Sequence, residues 1–297
     1  MERLIRAIFK IRPADLVTIM FTLFLLILVI THQNVVPRFT YLVSLYTTLL
    51  ITQLILMKIK KENRFLKLFY NIIFPTICVL SIFDSLEWVV HYINPHDIDA
   101  KLIMIDYMIF QNHPTLILEK ITYPILTDIL QIAYSTYYFI PIVFGILLLR
   151  NGQKKEFERS LFLVLFCFYL SYLGYILFPA LGPRFSISHL QTVKLEGFLI
   201  ADKIQNILNK LEGIKRDAFP SGHTGIALTI LYLSFIFQRK FFWFSLPIIS
   251  ALIFSTVYCR YHYVIDIIAG IFLTIITVLI GEPYYKIWLK YNQKDFN

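Results

Sequence analysis

Charge is what this 297-residue chain has least of: Asp, Glu, Lys and Arg together make up 16% of it, against roughly 25% in soluble globular proteins. That scarcity excludes disordered, fibrous and coiled-coil chains, which are polar or charge-rich. Cysteine is scarce too. Cys78, Cys167 and Cys259 stand singly, with no CxxC pair and no histidine in ligand spacing, so neither a disulfide framework nor a structural zinc site is supported. Ten Gly and twelve Pro are too few for a collagen-like or linker-rich chain. What remains is apolar: 58% hydrophobic residues and a mean hydropathy of +0.67 mark a membrane protein.

The formal net charge is +9, but Lys and Arg fall in short clusters between apolar runs rather than on one polar face. They read as membrane-flanking anchors, and no nucleic-acid partner is expected. Arg3, Arg6, Lys10 and Arg12 precede an apolar stretch over 16–30 that resembles a signal peptide. No small-x-small cleavage site follows it, so a retained first span is expected.

Eight apolar segments are long enough, or nearly so, to cross a bilayer: 14–31, 39–57, 68–92, 125–149, 159–179, 222–238, 241–259 and 263–281, given that a span needs about 20 helical residues. The expected fold is all-α, a polytopic helical bundle. Residues 1–124 would form N-terminal spans and an interfacial segment, 125–281 a helical core, and 282–297 a cytoplasmic tail. The interfacial segment covers 93–124, where Asn94-Pro95 and His113-Pro114 break helix. Of the 28 Lys and Arg, 18 lie on the side carrying both termini; cytoplasmic loops hold such an excess, so both termini are expected in the cytoplasm. All seven histidines then fall on or near the extracytoplasmic side.

Three motifs emerge on that side. In the stretch Arg216-Asp217-Ala218-Phe219-Pro220-Ser221-Gly222-His223-Thr224, Pro220 sets the approach, Ser221 is a good N-cap, and Gly222 leaves room where free helix amides point. Such a helix start binds anions, and His223 beside it could move a proton near neutrality. At the eighth span, His262 and Asp266 are one helical turn apart; the carboxylate would fix the imidazole tautomer and leave the other nitrogen as nucleophile or base. Arg184, after Phe178-Pro179-Ala180-Leu181-Gly182-Pro183, offers a guanidinium fork for phosphate oxygens. Taken singly, these features also suit a capped helix, a structural His-Asp pair and an interfacial anchor. Their convergence on one face favours chemistry.

Gly182-Pro183-Arg184, Pro220-Ser221-Gly222-His223 and His262 with Asp266 resemble the three-part signature of the type 2 phosphatidic acid phosphatase superfamily, whose fold is shared with vanadium haloperoxidases. The resemblance implies a six-helix phosphatase-type core over roughly 125–281. It also implies His262 as the nucleophile that becomes phosphohistidine, Asp266 as its orienting group and His223 as the acid that protonates the leaving oxygen. Arg184, Ser221, Gly222 and Arg260 would hold phosphate, and no metal or cofactor is required. The fuller strings Phe178 to Phe185, Asp217 to Thr224 and Arg260 to Gly270, together with Ala133-Tyr134-Ser135-Thr136-Tyr137-Tyr138, are similar to the branch containing inositol phosphorylceramide synthases, which are transferases.

The family pattern has a Lys seven residues before its first-motif Arg and an Arg six before its nucleophile, where this chain has Leu177 and Thr256. Phosphate charge would then fall to Arg184 with Arg260, or to Lys215 or Arg216. Fewer cations suit a singly charged phosphodiester better than a monoester, so head-group transfer to an alcohol is expected ahead of lipid or isoprenoid phosphate hydrolysis. The expected partners are a membrane lipid phosphate or phosphodiester and a polyol acceptor. Asp84 and Glu87, with Trp88 and His91 at helical spacing in the third span, could line a head-group or acceptor pocket or form an interhelical polar patch. Eight spans and those acids would also suit a non-catalytic transporter or lipid-binding protein, an alternative that leaves the same-side placement of Arg184, His223 and His262 unexplained.

Overall fold

The computed structural model describes residues 9–59, 63–198, 203–204 and 216–292. Every predicted apolar segment is helical: α1 (Pro13–Thr31), α2 (Phe39–Lys58), α3 (Arg64–Trp88), the interfacial α4 (Asp99–Phe110), α5 (Pro124–Tyr138), α6 (Ile140–Arg150), α7 (Lys154–Leu177), α8 (Gly222–Phe237), α9 (Arg239–Tyr258) and α10 (Val264–Tyr291). The protein is an all-helical polytopic bundle, and no strand forms among the described residues beyond an isolated parallel bridge between Ala180 and Asp217.

Six of these helices are each long and apolar enough to cross a membrane, and α5 with α6 passes the same test as a bent pair, the geometry of a broken span or a re-entrant loop. The predicted fourth segment is thus two helices that bend by 52° at the break. A 3-10 turn over Thr136–Tyr138 ends α5, and Pro141 opens α6 without an amide to continue the ladder. The predicted sixth span, α8, has only 16 residues, about 24 Å at 1.5 Å per residue, short of the roughly 30 Å hydrocarbon core. The third span is also irregular: a π turn over Phe69–Ile73 and a 3-10 turn over Leu86–Trp88 interrupt it, with a separate short helix at Val90–Ile93. The last helix runs on to Tyr291, beyond the predicted end at 281, because Trp288 is buried and donates its indole N–H to the Ile11 carbonyl at 2.8 Å.

Helix α7 is the central post, packed on α1, α6, α8 and α10. At the end of the bundle near both termini, buried polar contacts join the helices. Arg12 pairs with Glu158, Arg159 Nε donates to Glu282 at 2.8 Å, and the α1 acid Asp15 accepts from Gln53 at 2.9 Å and from Tyr70. Pairing of this kind is what makes a charge tolerable in an apolar helix. At the opposite end the loops after α3 and α7 close over the starts of α8 and α10. Asn94 donates to the Ile176 and Leu177 carbonyls at 3.2 and 3.1 Å, capping the end of α7.

Candidate active site

The three motifs meet at that end and are tied by backbone hydrogen bonds. Ala218 N donates to Ala180 O at 3.1 Å, Arg184 N to Arg260 O at 2.9 Å, and Ser221 N to Asp266 O at 3.0 Å. Gly182 makes the close approach of the Arg184 loop to the 260–262 segment feasible: its φ is +87°, and a Cβ there would lie 2.6 Å from the Tyr261 carbonyl oxygen. Ser221 is fully buried and is the N-cap of α8, its hydroxyl accepting from the Thr224 amide at 3.3 Å. A Cβ on Gly222 would run into the Tyr175 hydroxyl at 2.3 Å. The helix start is thus packed tightly against α7.

The two histidines face each other, with His262 Nε2 3.3 Å from His223 Nδ1. Behind His262, Nδ1 lies 2.7 Å from the Ala218 carbonyl and 3.4 Å from Asp266 Oδ2. A carbonyl oxygen only accepts, so Nδ1 carries the hydrogen and Nε2 holds the lone pair that points at His223. Asp266 is completely buried; its Oδ2 accepts from the Tyr263 amide at 2.8 Å, and its Oδ1 has no hydrogen-bond partner among the described residues. The orientation of His262 is therefore shared between a carboxylate, which the sequence motif indicates, and a backbone carbonyl, which it does not.

Aromatic rings complete the cradle. The His223 ring stacks on Tyr134 at 4.6 Å and lies 4.1 Å from Tyr137; Tyr134 in turn stacks on Tyr261 at 4.3 Å, and the Arg184 guanidinium sits 5.1 Å over that Tyr261 ring. Arg184 is thereby linked to the histidines through two tyrosines. Tyr134 and Tyr137 belong to a string noted in the sequence for its similarity alone, and their part in holding His223 is legible only in three dimensions.

Arg260 is directed elsewhere. Its Nη2 donates to Glu119 at 2.8 Å and to the Val193 carbonyl at 2.6 Å, and its Nη1 to Gln191 at 3.2 Å. The residue adopts φ +66°, in the left-handed region. Burial lowers its pKa and the neighbouring Glu119 opposes that shift. Arg216 pairs with Asp97 at 2.7 Å, and Lys215 lies outside the described residues. Leu177 is exposed, and Thr256 is buried with its hydroxyl on the Ile253 carbonyl at 2.7 Å. Asp84 and Glu87 are exposed on α3, Trp88 is covered by Arg38 at 4.0 Å, and none of these is brought to the histidines. Among the described residues, no group of three or more His, Cys, Asp or Glu side chains is arranged to hold a metal ion.

An apolar groove between α3, α6 and α7 reaches this site. It runs along α7 from Phe157 to Tyr175, with Asp217 and His223 lining it near the Tyr175 end. That stretch of helix is about 27 Å long at 1.5 Å per residue. A hydrocarbon chain could lie along the bundle with its polar end beside His223.

The chain is 25% identical over 178 residues to a PA-phosphatase related-family protein of Dictyostelium discoideum, a match covering 53% of this chain and 32% of that one. It is 28% identical over 153 residues to a phosphoinositol dihydroceramide synthase of Bacteroides thetaiotaomicron, covering 47% of this chain and 50% of the relative. The chain thus spans half or less of the length of these curated relatives, and no solved structure matches it. The sequence profile of the PAP2 superfamily matches residues 101–280, a stretch that begins within α4 and takes in Arg184, His223, His262 and Asp266. With well over half of its length matched, this integral membrane chain belongs to the PAP2 superfamily, a family of lipid phosphatases and phosphotransferases.

Proposed function

We propose that the protein transfers a phospho-head group from a membrane phosphodiester lipid to an alcohol acceptor, through a phosphohistidine on His262, at the extracytoplasmic face. The observation that carries this reading is the pair of facing histidines at the end of a lipid-length apolar groove. Nε2 of His262 attacks phosphorus as the bond to the leaving lipid alcohol breaks, and His223 gives that oxygen its proton. The acceptor hydroxyl then attacks the phosphohistidine, returning a proton to His223 as the P–N bond breaks. The Ala218 carbonyl and Asp266 stabilise the positive charge that His262 gains.

Three features favour a diester donor. Leu177 and Thr256 supply no charge where the family pattern has cations, Arg260 is already paired with Glu119, and one relative is named as a phosphoinositol dihydroceramide synthase. The test is incubation of the purified protein with a panel of lipid phosphates and phosphodiesters, with and without inositol, other polyols and lipid alcohols, reading both free phosphate and new lipid. Acceptor-dependent formation of a new phospholipid supports transfer. Acceptor-independent phosphate release would mean a hydrolase, and no turnover of any substrate would remove the enzymatic reading.

A further inference from the structure

Helix α4 contributes to none of the three motifs, yet its two buried acids hold two of them. Its sequence, Asp99-Ala100-Lys101-Leu102-Ile103-Met104-Ile105-Asp106-Tyr107-Met108-Ile109-Phe110, is apolar apart from Asp99, Lys101 and Asp106. Asp99 and Asp106 are seven residues apart and so share a face, and they are only 7% and 2% exposed.

The Asp99 carboxylate bridges the first motif and the third. Oδ2 accepts from the Leu181 amide at 2.8 Å; Oδ1 accepts from the Gly182 amide at 2.9 Å, the Ser186 hydroxyl at 2.7 Å and the Tyr263 hydroxyl at 2.9 Å. The bonded residues flank Arg184 on one side of the site and adjoin His262 on the other. Asp106 binds the start of α10, with Oδ2 accepting from the Val264 amide and Oδ1 from the Ile265 amide, both at 2.9 Å. A carboxylate there meets free first-turn amides and the positive end of the helix. The residues just before α4 extend the same grip, as Ile98 N donates to Pro179 O at 2.8 Å and Asp97 pairs with Arg216.

We propose that Asp99 and Asp106 are positioning residues for the reaction: together they fix the His262 turn against the Arg184 loop, so that Nε2 of His262 is aimed at phosphorus while Arg184 meets its oxygens. The inference rests on the phosphohistidine reading above. Neither acid touches the reacting atoms. Asp106 acts through backbone amides, and Asp99 through two amides and two hydroxyls, all on residues within three positions of His262 or Arg184, where a displacement of about 1 Å can cost on the order of 100-fold in rate. Fully hydrogen-bonded buried carboxylates also resist rearrangement, because moving away strands several donors at once.

The test compares Asp99→Asn, Asp106→Asn and the milder Tyr263→Phe in the full chain, with Glu282→Gln as a reference. Glu282 is a buried carboxylate of α10 at the opposite end of the bundle, so its loss reports stability without touching the site. On a substrate turned over by the wild type, kcat should fall about 10- to 100-fold in the two Asp variants and several-fold in Tyr263→Phe, with KM within about threefold of wild type. Glu282→Gln should lower Tm to a similar degree while kcat stays within about twofold. A substrate-free readout accompanies it: NMR of ring-labelled histidine, in which the His262 signals should move in Asp99→Asn, Asp106→Asn and Tyr263→Phe but not in Glu282→Gln. Unchanged His262 signals, or a loss of kcat that Glu282→Gln reproduces, would overturn the proposal. An inactive wild type with the expected histidine shifts would instead count against the enzymatic reading and leave the positioning geometry standing.

Discussion

Ala218 holds His262: the imidazole Nδ1–H of His262 donates to the Ala218 carbonyl oxygen at 2.7 Å, closer than the 3.4 Å to Asp266 Oδ2. The backbone itself therefore fixes the tautomer that leaves Nε2 nucleophilic, and Asp266 adds charge. It follows that Asp266→Asn keeps the tautomer and loses only electrostatic support. Its kcat should fall by about 10²-fold rather than to zero, whereas His262→Ala should show no turnover. Steady-state rates of both variants check this; equal, complete loss in the two would give Asp266 the larger part.

Much of this site could be read from the sequence because its reacting groups lie in short strings with unusual residue types. Pro220-Ser221-Gly222-His223 marks a helix start as expected, whereas His262 precedes Tyr263, the N-cap of α10, and so meets Asp266 from the loop before the helix rather than across a helical turn. The supporting groups were not legible for a physical reason. Asp106 meets Val264 across 158 positions and Asp99 meets Gly182 across 83, and nothing local distinguishes them from the polar face of an interfacial helix. The same holds for Arg260. The missing cations at Leu177 and Thr256 suggested it for phosphate, and its pairing with Glu119, 141 positions away, is visible only in the fold. The eight apolar runs gave the helices, while the bend at Phe139 and the breaks in α3 depend on packing and on Pro141.

Arg260 and Arg184 should separate under mutation. Arg260 ties Glu119 to the 191–193 loop, so Arg260→Ala should speed proteolysis in that loop and shift KM by no more than about threefold. Arg184→Ala should cost on the order of 100-fold in kcat/KM by removing a charge-assisted phosphate contact. Limited proteolysis and kinetics of the two variants decide it. Similar kinetic losses in both would return Arg260 to the phosphate.

Acid should act through Asp106. Burial raises its carboxyl above the ordinary carboxylate range, against the Val264 and Ile265 amides and His113, which pull it down; Asp266 is the other charged group facing it. Because the folded value lies above the unfolded one, the group's contribution to stability is greatest below the unfolded value and is lost as pH rises through the folded value. Activity runs the opposite way, since protonation removes an acceptor from the start of α10. The acid limb of kcat should therefore lie higher in the wild type than in Asp106→Asn, measured from pH 4 to 8 at about constant ionic strength. Superimposable limbs would remove Asp106 from the profile.

The orientation of the bundle is open to labelling. Ser188 lies in the loop beside the site and Gln153 at the start of α7 on the other side. With Cys78, Cys167 and Cys259 replaced, Ser188→Cys should react with an impermeant thiol reagent in intact cells and Gln153→Cys should not. Labelling of Gln153→Cys alone would reverse the orientation.

The phosphoenzyme is the most direct test of the account. Rapid quenching of the protein during turnover of a radiolabelled phospholipid should trap label on the chain that survives alkali and is lost in acid. It should be present in wild type and absent in His262→Ala; with a donor bearing a good leaving group, which needs no proton from His223, His223→Ala should still label but discharge slowly, since the nucleophile remains and the group 3.3 Å away is gone. Equal labelling and turnover of His262→Ala would contradict the assignment of His262 as nucleophile.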